Sequence, residues 1–111
     1  MITIEKIKEF QKGYNITQTQ EMIESGQIWK MEGSMGRFAM QCLEAGICFL
    51  GETPRYDYYG NLVPSRKMIA EGSTGSLTNA QNFWQKVEDG DFETIEALES
   101  MFGAEKEDEV G

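Results

Sequence analysis

The chain has 111 residues, 40% of them hydrophobic and 26% charged, with a formal net charge of −9. That length fits one domain around one core, and two Trp, six Phe and four Tyr argue against global disorder. With no histidine and only two cysteines, an ordinary zinc site, a histidine-activated nucleophile and a secreted disulfide framework are all excluded, and no cofactor or metal site is expected.

Taken in chain order, the first predicted element is a helix over residues 4–12. Thr3 stands at its cap, Ile4, Ile7 and Phe10 share a face, and Gly13 sits where a helix end favours positive φ. The alternation at its start keeps a strand there as an alternative. Charge from Glu5 onward interrupts the apolar stretch that a signal peptide needs, so the expected compartment is the cytoplasm. Thr17 or Thr19 can cap a second helix through Met22 and Ile23, stopped by Gly26. The polar–apolar alternation of Gln27–Glu32 reads as a short strand.

The clearest helix starts at Ser34, read as its cap, and carries Met35, Phe38, Ala39, Cys42 and Leu43 as one apolar stripe ending at Gly46. Phe38, Cys42 and Leu43 are expected in the core. Ile47–Leu50 is wholly apolar and bounded by glycines, as a buried strand would be. A Tyr56–Tyr59 strand, a tight turn at Gly60-Asn61 and a Leu62–Val63 strand then read as a hairpin, kept short or at an edge by Pro64. After a Gly/Ser connector at residues 72–76, Ser76 or Thr78 caps a helix with Leu77, Ala80, Trp84 and Val87 on one side. Asp89-Gly90 makes a turn. Asp91 caps the last helix, which places Phe92, Ile95, Leu98, Met101 and Phe102 on one face and Glu93, Glu96 and Ser100 on the other.

These elements give an α+β fold: a mainly helical single domain over residues 1–103, with a small antiparallel β-sheet or hairpin at about 47–69 and a C-terminal helical hairpin. Residues 104–111 read as an acidic mobile tail.

Catalytic motifs fail on chemistry. The Gly72–Gly75 stretch lacks the lysine that a phosphate loop needs, and Gly33-Ser34-Met35-Gly36 is only half of a nucleophile elbow, with no histidine to deprotonate Ser34. Cys42 and Cys48 read as buried thiols. A carboxylate-only enzyme would need acids converging on a cleft, whereas Glu93 and Glu96 read as a solvated helix face. The chain is therefore read as non-enzymatic.

Charge is unevenly spread. Residues 1–75 carry nine acids and eight bases, whereas residues 76–111 carry ten acids against Lys86 and Lys106 alone. That acidic third opposes nucleic acid and anionic membrane surfaces, and no apolar run is long enough to span a bilayer. Arg55, Tyr56, Tyr58, Tyr59, Asn61 and Arg66 form the candidate protein-contact set, since Tyr and Arg dominate interface hot spots. Glu93 and Glu96 form a candidate acidic face.

The chain's style, short, acidic and poor in cysteine, is similar to that of small accessory proteins of phages and integrated elements. A protein-binding accessory or regulatory role of bacterial or phage type is expected, with an unidentified protein partner and self-association as a further option. The alternatives are an acidic nucleic-acid mimic that inhibits a host enzyme and a small enzyme with an unrecognised carboxylate site.

Overall fold

The computed structural model describes residues 1–31 and 33–103; Glu32 and the tail expected over residues 104–111 lie outside the described residues. Five α-helices and a two-stranded hairpin succeed one another there: α1 (Ile4–Gly13), α2 (Thr17–Ser25), α3 (Ser34–Ala45), β1 (Arg55–Tyr56), β2 (Leu62–Val63), α4 (Leu77–Glu88) and α5 (Phe92–Phe102). 3-10 turns occupy Gln27–Lys30 and Arg66–Met68. The fold is mainly helical α+β, as the periodicities imply.

Three helix starts are built by the residues that the sequence marks. Thr3 Oγ1 accepts from Lys6 N at 3.1 Å, Ser76 Oγ from Asn79 N at 3.0 Å, and Asp91 Oδ2 from Thr94 N at 3.0 Å. The Thr94 hydroxyl, 2.6 Å from the same oxygen, is the main cause that holds the Asp91 carboxyl below its usual value.

Two helices start differently from expectation. The N-cap positions of α2 and α3 are Ile16 and Gly33, neither with a side-chain cap, and Thr17 and Ser34 are already the first helical residues. A capping side chain must stand one residue outside the helix; Ser34 is one residue too far in. Similarly, Gly13 remains within α1, and the left-handed conformation falls on Asn15 at φ 62°.

The strand expected over Gln27–Glu32 is a 3-10 turn at Gln27–Lys30. Ile28 and Trp29, adjacent in sequence, are both buried, which a two-residue period cannot achieve and a tight helical turn can.

Helix α4 gathers the core, packing against α1, α3 and α5. Its Trp84 is fully buried, stacks on Phe10 with centroids 5.3 Å apart, and meets Phe83 edge to face. Gly46 (φ 92°) ends α3 hard against α4: a Cβ there would lie 2.8 Å from both Asn79 O and Phe83 Cβ. Asn79 Nδ2 in turn donates to Leu43 O at 3.1 Å and so satisfies a carbonyl of the last turn of α3.

Cys42 and Leu43 are buried as expected, but Phe38 is half-buried, 5.6 Å from the Phe102 ring, and Met35 is exposed. Phe92 also faces solvent, because the packed stripe of α5 starts one turn later, at Ile95.

Ile47–Leu50 is buried, as its composition predicts, yet it pairs with no strand among the described residues. Its backbone is satisfied by side chains instead. Gln20 accepts from Phe49 N through Oε1 (3.1 Å) and donates to Phe49 O through Nε2 (2.9 Å), closing the two-bond ring that a neighbouring strand would make. Gln11 Nε2 donates to Ile47 O at 2.9 Å and to Gln20 Oε1 at 3.0 Å, while Trp84 Nε1 shares Ile47 O at 3.1 Å. Both glutamines are 1% exposed.

Gln20→Ala leaves the Phe49 amide and carbonyl unpaired in the core, at about 1–3 kcal/mol for each group. A loss of at least about 2–4 kcal/mol in urea unfolding is expected, against less than about 0.5 kcal/mol for exposed Gln18→Ala. Equal midpoints for the two variants would remove the central role given to Gln20.

Candidate interaction surface

The hairpin leaves the buried segment through Gly51 and returns at Arg66, whose amide donates to Gly51 O at 2.9 Å. Its strands are two residues each, in the register Arg55↔Val63 and Tyr56↔Leu62. The expected Tyr56–Tyr59 strand is therefore cut short after Tyr56. Asp57 is the cause: its Oδ1 accepts from Tyr59 N (2.9 Å) and Asn61 N (2.8 Å), and Gly60 at φ 83° closes the turn. Tyr58 and Tyr59 thus sit in the turn, with rings 5.2 Å apart and nearly perpendicular.

The candidate contact residues divide into two groups. Tyr56, Tyr58, Tyr59 and Asn61 are exposed, Tyr59 at 81%. Arg55 and Arg66 are half-buried and occupied. Arg55 lies across Gly26, where a Cβ would come within 2.7 Å of its side chain, and its Nε donates to Glu24 O at 3.0 Å at the end of α2. A cation there also suits the negative end of the helix. Arg66 donates to Leu50 O (3.1 Å), pairs with Glu52 (2.9 Å) and covers the Phe49 ring. The arginines clamp the base of the hairpin, and the tyrosines form its free tip.

Besides a cleft at the base of the hairpin that includes Arg55 and Arg66, two clefts lie beside its turn. One, of about 510 Å³, is lined chiefly by apolar side chains, among them Trp29, Met40, Leu43, Leu62, Val63 and Ile69. The other, of about 280 Å³, lies between Gly33, Gly36 and Arg37 at the start of α3 and Tyr58 and Tyr59. Trp29 and Asp57 line both, and Tyr58 N donates to Trp29 O at 2.8 Å, fastening the tip to the body. The contribution of Trp29 and Met40 was not legible in the sequence, because neither stands in a motif and both owe their place to the 3-10 turn and the phase of α3.

Glu93 and Glu96 are exposed on α5, joined in chain order by exposed Glu88, Asp89, Asp91 and Glu99. Two pairs of carboxylates share a cleft: Glu24 and Glu52 are matched by cations, Lys8 lying 3.3 Å from Glu24 and Arg66 2.9 Å from Glu52, whereas Glu44 and Asp57 line the larger apolar cleft, where Asp57 accepts from the amides of Tyr59 and Asn61. Among the described residues no group of three or more acids and thiols is arranged to hold a metal ion, and no helix is long and apolar enough to cross a membrane.

Cys42 and Cys48 are free, buried and in mutual contact. Hydrogen bonding to Cys42, reinforced by burial, raises the Cys48 thiol well above its ordinary value. No family model matches the chain, nor does any curated protein or solved structure.

Burial retards alkylation of both thiols, and at Cys48 a scarcity of thiolate adds to it, whereas the hydrogen bond from Cys48 lowers the Cys42 thiol and leaves burial as its protection. Native protein should react with a thiol reagent at least about a hundredfold more slowly than unfolded protein, which should take up two equivalents without prior reduction. Rapid labelling of the native chain, or fewer than two equivalents on the unfolded one, would contradict this arrangement.

Proposed function

We propose that the chain is a non-enzymatic, protein-binding accessory or regulatory module that engages its partner through the hairpin tip and the adjoining face of α3. The observation that carries this reading is where apolar side chains meet solvent. Of the ten large hydrophobic residues that are exposed among the described residues, all but Met1 and Phe92 fall within Met31–Met68. Met31, Met35 and Met40 come from α3 and its approach, and Tyr56, Tyr58, Tyr59 and Leu62 from the hairpin. Exposed apolar groups gathered beside clefts favour contact with another macromolecule. Methionines adapt to an irregular surface, while tyrosines bring large area at low entropic cost. The bacterial or phage setting rests on the chain's short, acidic style.

A second reading draws on α5. Phe92 is 72% exposed beside Asp91, Glu93 and Glu96, so an acidic face with one apolar anchor is available to occlude a basic groove on a nucleic-acid enzyme.

Paired variants separate the two. Against one captured partner, Tyr59→Ala should weaken binding by about 2 kcal/mol, the hot-spot threshold, and leave the unfolding midpoint unchanged, since its ring is exposed. Glu93→Lys with Glu96→Lys should leave that affinity nearly intact. The reverse outcome, with binding that collapses at raised salt, selects the charge mimic. Insensitivity to both sets of changes would place the contact elsewhere and defeat the primary reading.

A further inference from the structure

We propose that the larger cleft beside the hairpin, of about 510 Å³, seats a segment of the partner protein in which large apolar side chains are flanked by lysine or arginine. This deepens the protein-contact reading, on which it rests, by naming the chemistry of the partner.

The first support is the lining. Trp29, Leu43 and Leu50 line the cleft from the core and are buried. Met40 and Leu62 line it toward solvent, 44% and 49% exposed although both are large apolar groups. Val63 and Ile69, half-buried, add to the apolar walls. Such walls, open to water, gain when another apolar surface covers them. The volume falls within the range of ligand sites.

The second support is charge, and it is independent of the first. Glu44 and Asp57 are the charged side chains that line the cleft, and neither forms an ion pair among the described residues. Asp57 is held in place by Tyr59 N, Asn61 N and Asn61 Nδ2, neutral donors that leave its charge uncompensated. Glu44 is exposed on the last turn of α3, where the negative end of the helix adds to its field. The neighbouring bases are drawn elsewhere. Arg66 and Lys67 lie 2.9 and 4.0 Å from Glu52, and Arg37 lines the smaller cleft.

A cation that enters beside an apolar group therefore meets two carboxylates without counter-charge, whereas an anion meets repulsion. The same acids oppose a nucleic acid or an anionic bilayer, and a net charge of −9 steers a basic protein toward the chain. Met40 and Leu62 also belong to the exposed apolar set within Met31–Met68, so the cleft is continuous with the surface proposed above for the partner.

The test is an NMR titration of methyl-labelled full-length protein at constant ionic strength. The probes are three blocked tetrapeptides, acetyl-Lys-Leu-Phe-Lys-amide, acetyl-Glu-Leu-Phe-Glu-amide and acetyl-Lys-Ser-Ser-Lys-amide. Only the first should give saturable shifts at the methyls of Met40, Leu62, Val63 and Ile69, with those of Ile2 and Ile7, which do not line the cleft, stationary. Glu44→Lys should weaken that peptide at least about fivefold, through loss of one attraction and gain of one repulsion. Met40→Gln, which keeps a good helix former on α3, should weaken it at least about threefold. Both positions are exposed, so the fold is retained. No saturable shift with the basic apolar peptide, equal binding of either other peptide, or unchanged affinity in Glu44→Lys would overturn the proposal. Shifts of the same methyls on concentrating the protein alone would seat a second copy in the cleft and overturn it as well. Tyr59 does not line this cleft, so the affinity of Tyr59→Ala for the captured partner tests the contact reading by itself, whatever the peptides do.

Discussion

The structure depends on two buried glutamines that take the place of a β-strand. A segment such as Ile47–Leu50 contributes large apolar groups to the core, but it brings backbone amides and carbonyls with it, and each left unpaired is costly. Gln20 resolves this with a side chain that is donor and acceptor at once, matching both polar groups of Phe49. Gln11 and Trp84 meet at Ile47 O from two different helices. One buried tetrapeptide thereby links α1, α2 and α4 to one another. The ends of the segment are held as well, Leu50 N by Gly75 O and Leu50 O by Arg66.

That arrangement explains which parts of the fold were legible in the sequence. Helices α3, α4 and α5 announce themselves through long periodic stripes, and Ser76 and Asp91 act as the caps their positions imply. Gln11 and Gln20 carry no such signal: a glutamine on an amphipathic helix reads as a solvated position, and only the packing of the helices reveals that these two face the core. The Gln27–Glu32 stretch misleads for a related reason. Its alternation is real, but the backbone is turned by Gly26 at φ 84°, and burial of both Ile28 and Trp29 overrides the period. Exposure of Met35 and Phe92 shows the remaining gap, since a stripe marks a face without saying how far along the helix a neighbour reaches.

The candidate site was legible in composition and not in division of labour. Residues 55–66 stand out as rich in tyrosine and arginine, yet chain order cannot separate side chains that hold the loop from those that it displays. The structure makes that separation through geometry. Arg55 and Arg66 reach carbonyls at the end of α2 and in the buried segment, which a guanidinium can do because its long stem spans the distance and its planar head carries several donors. Tyr58 and Tyr59 have no such reach from a turn closed by Asp57.

A two-stranded ribbon with two residues per strand has little stability of its own. Here it is fixed at three points: the Arg55 clamp, the Arg66 clamp and the Tyr58–Trp29 main-chain bond. Binding energy at a surface is diminished by whatever ordering the contact requires. A tip whose backbone is already ordered by Asp57, and whose base is joined to the core, has met most of that cost during folding. Exposed tyrosines on such a tip therefore retain more of their contact energy than the same residues on a flexible loop. This physical circumstance, more than the apolar area itself, is what supports residues 56–61 as the proposed contact surface.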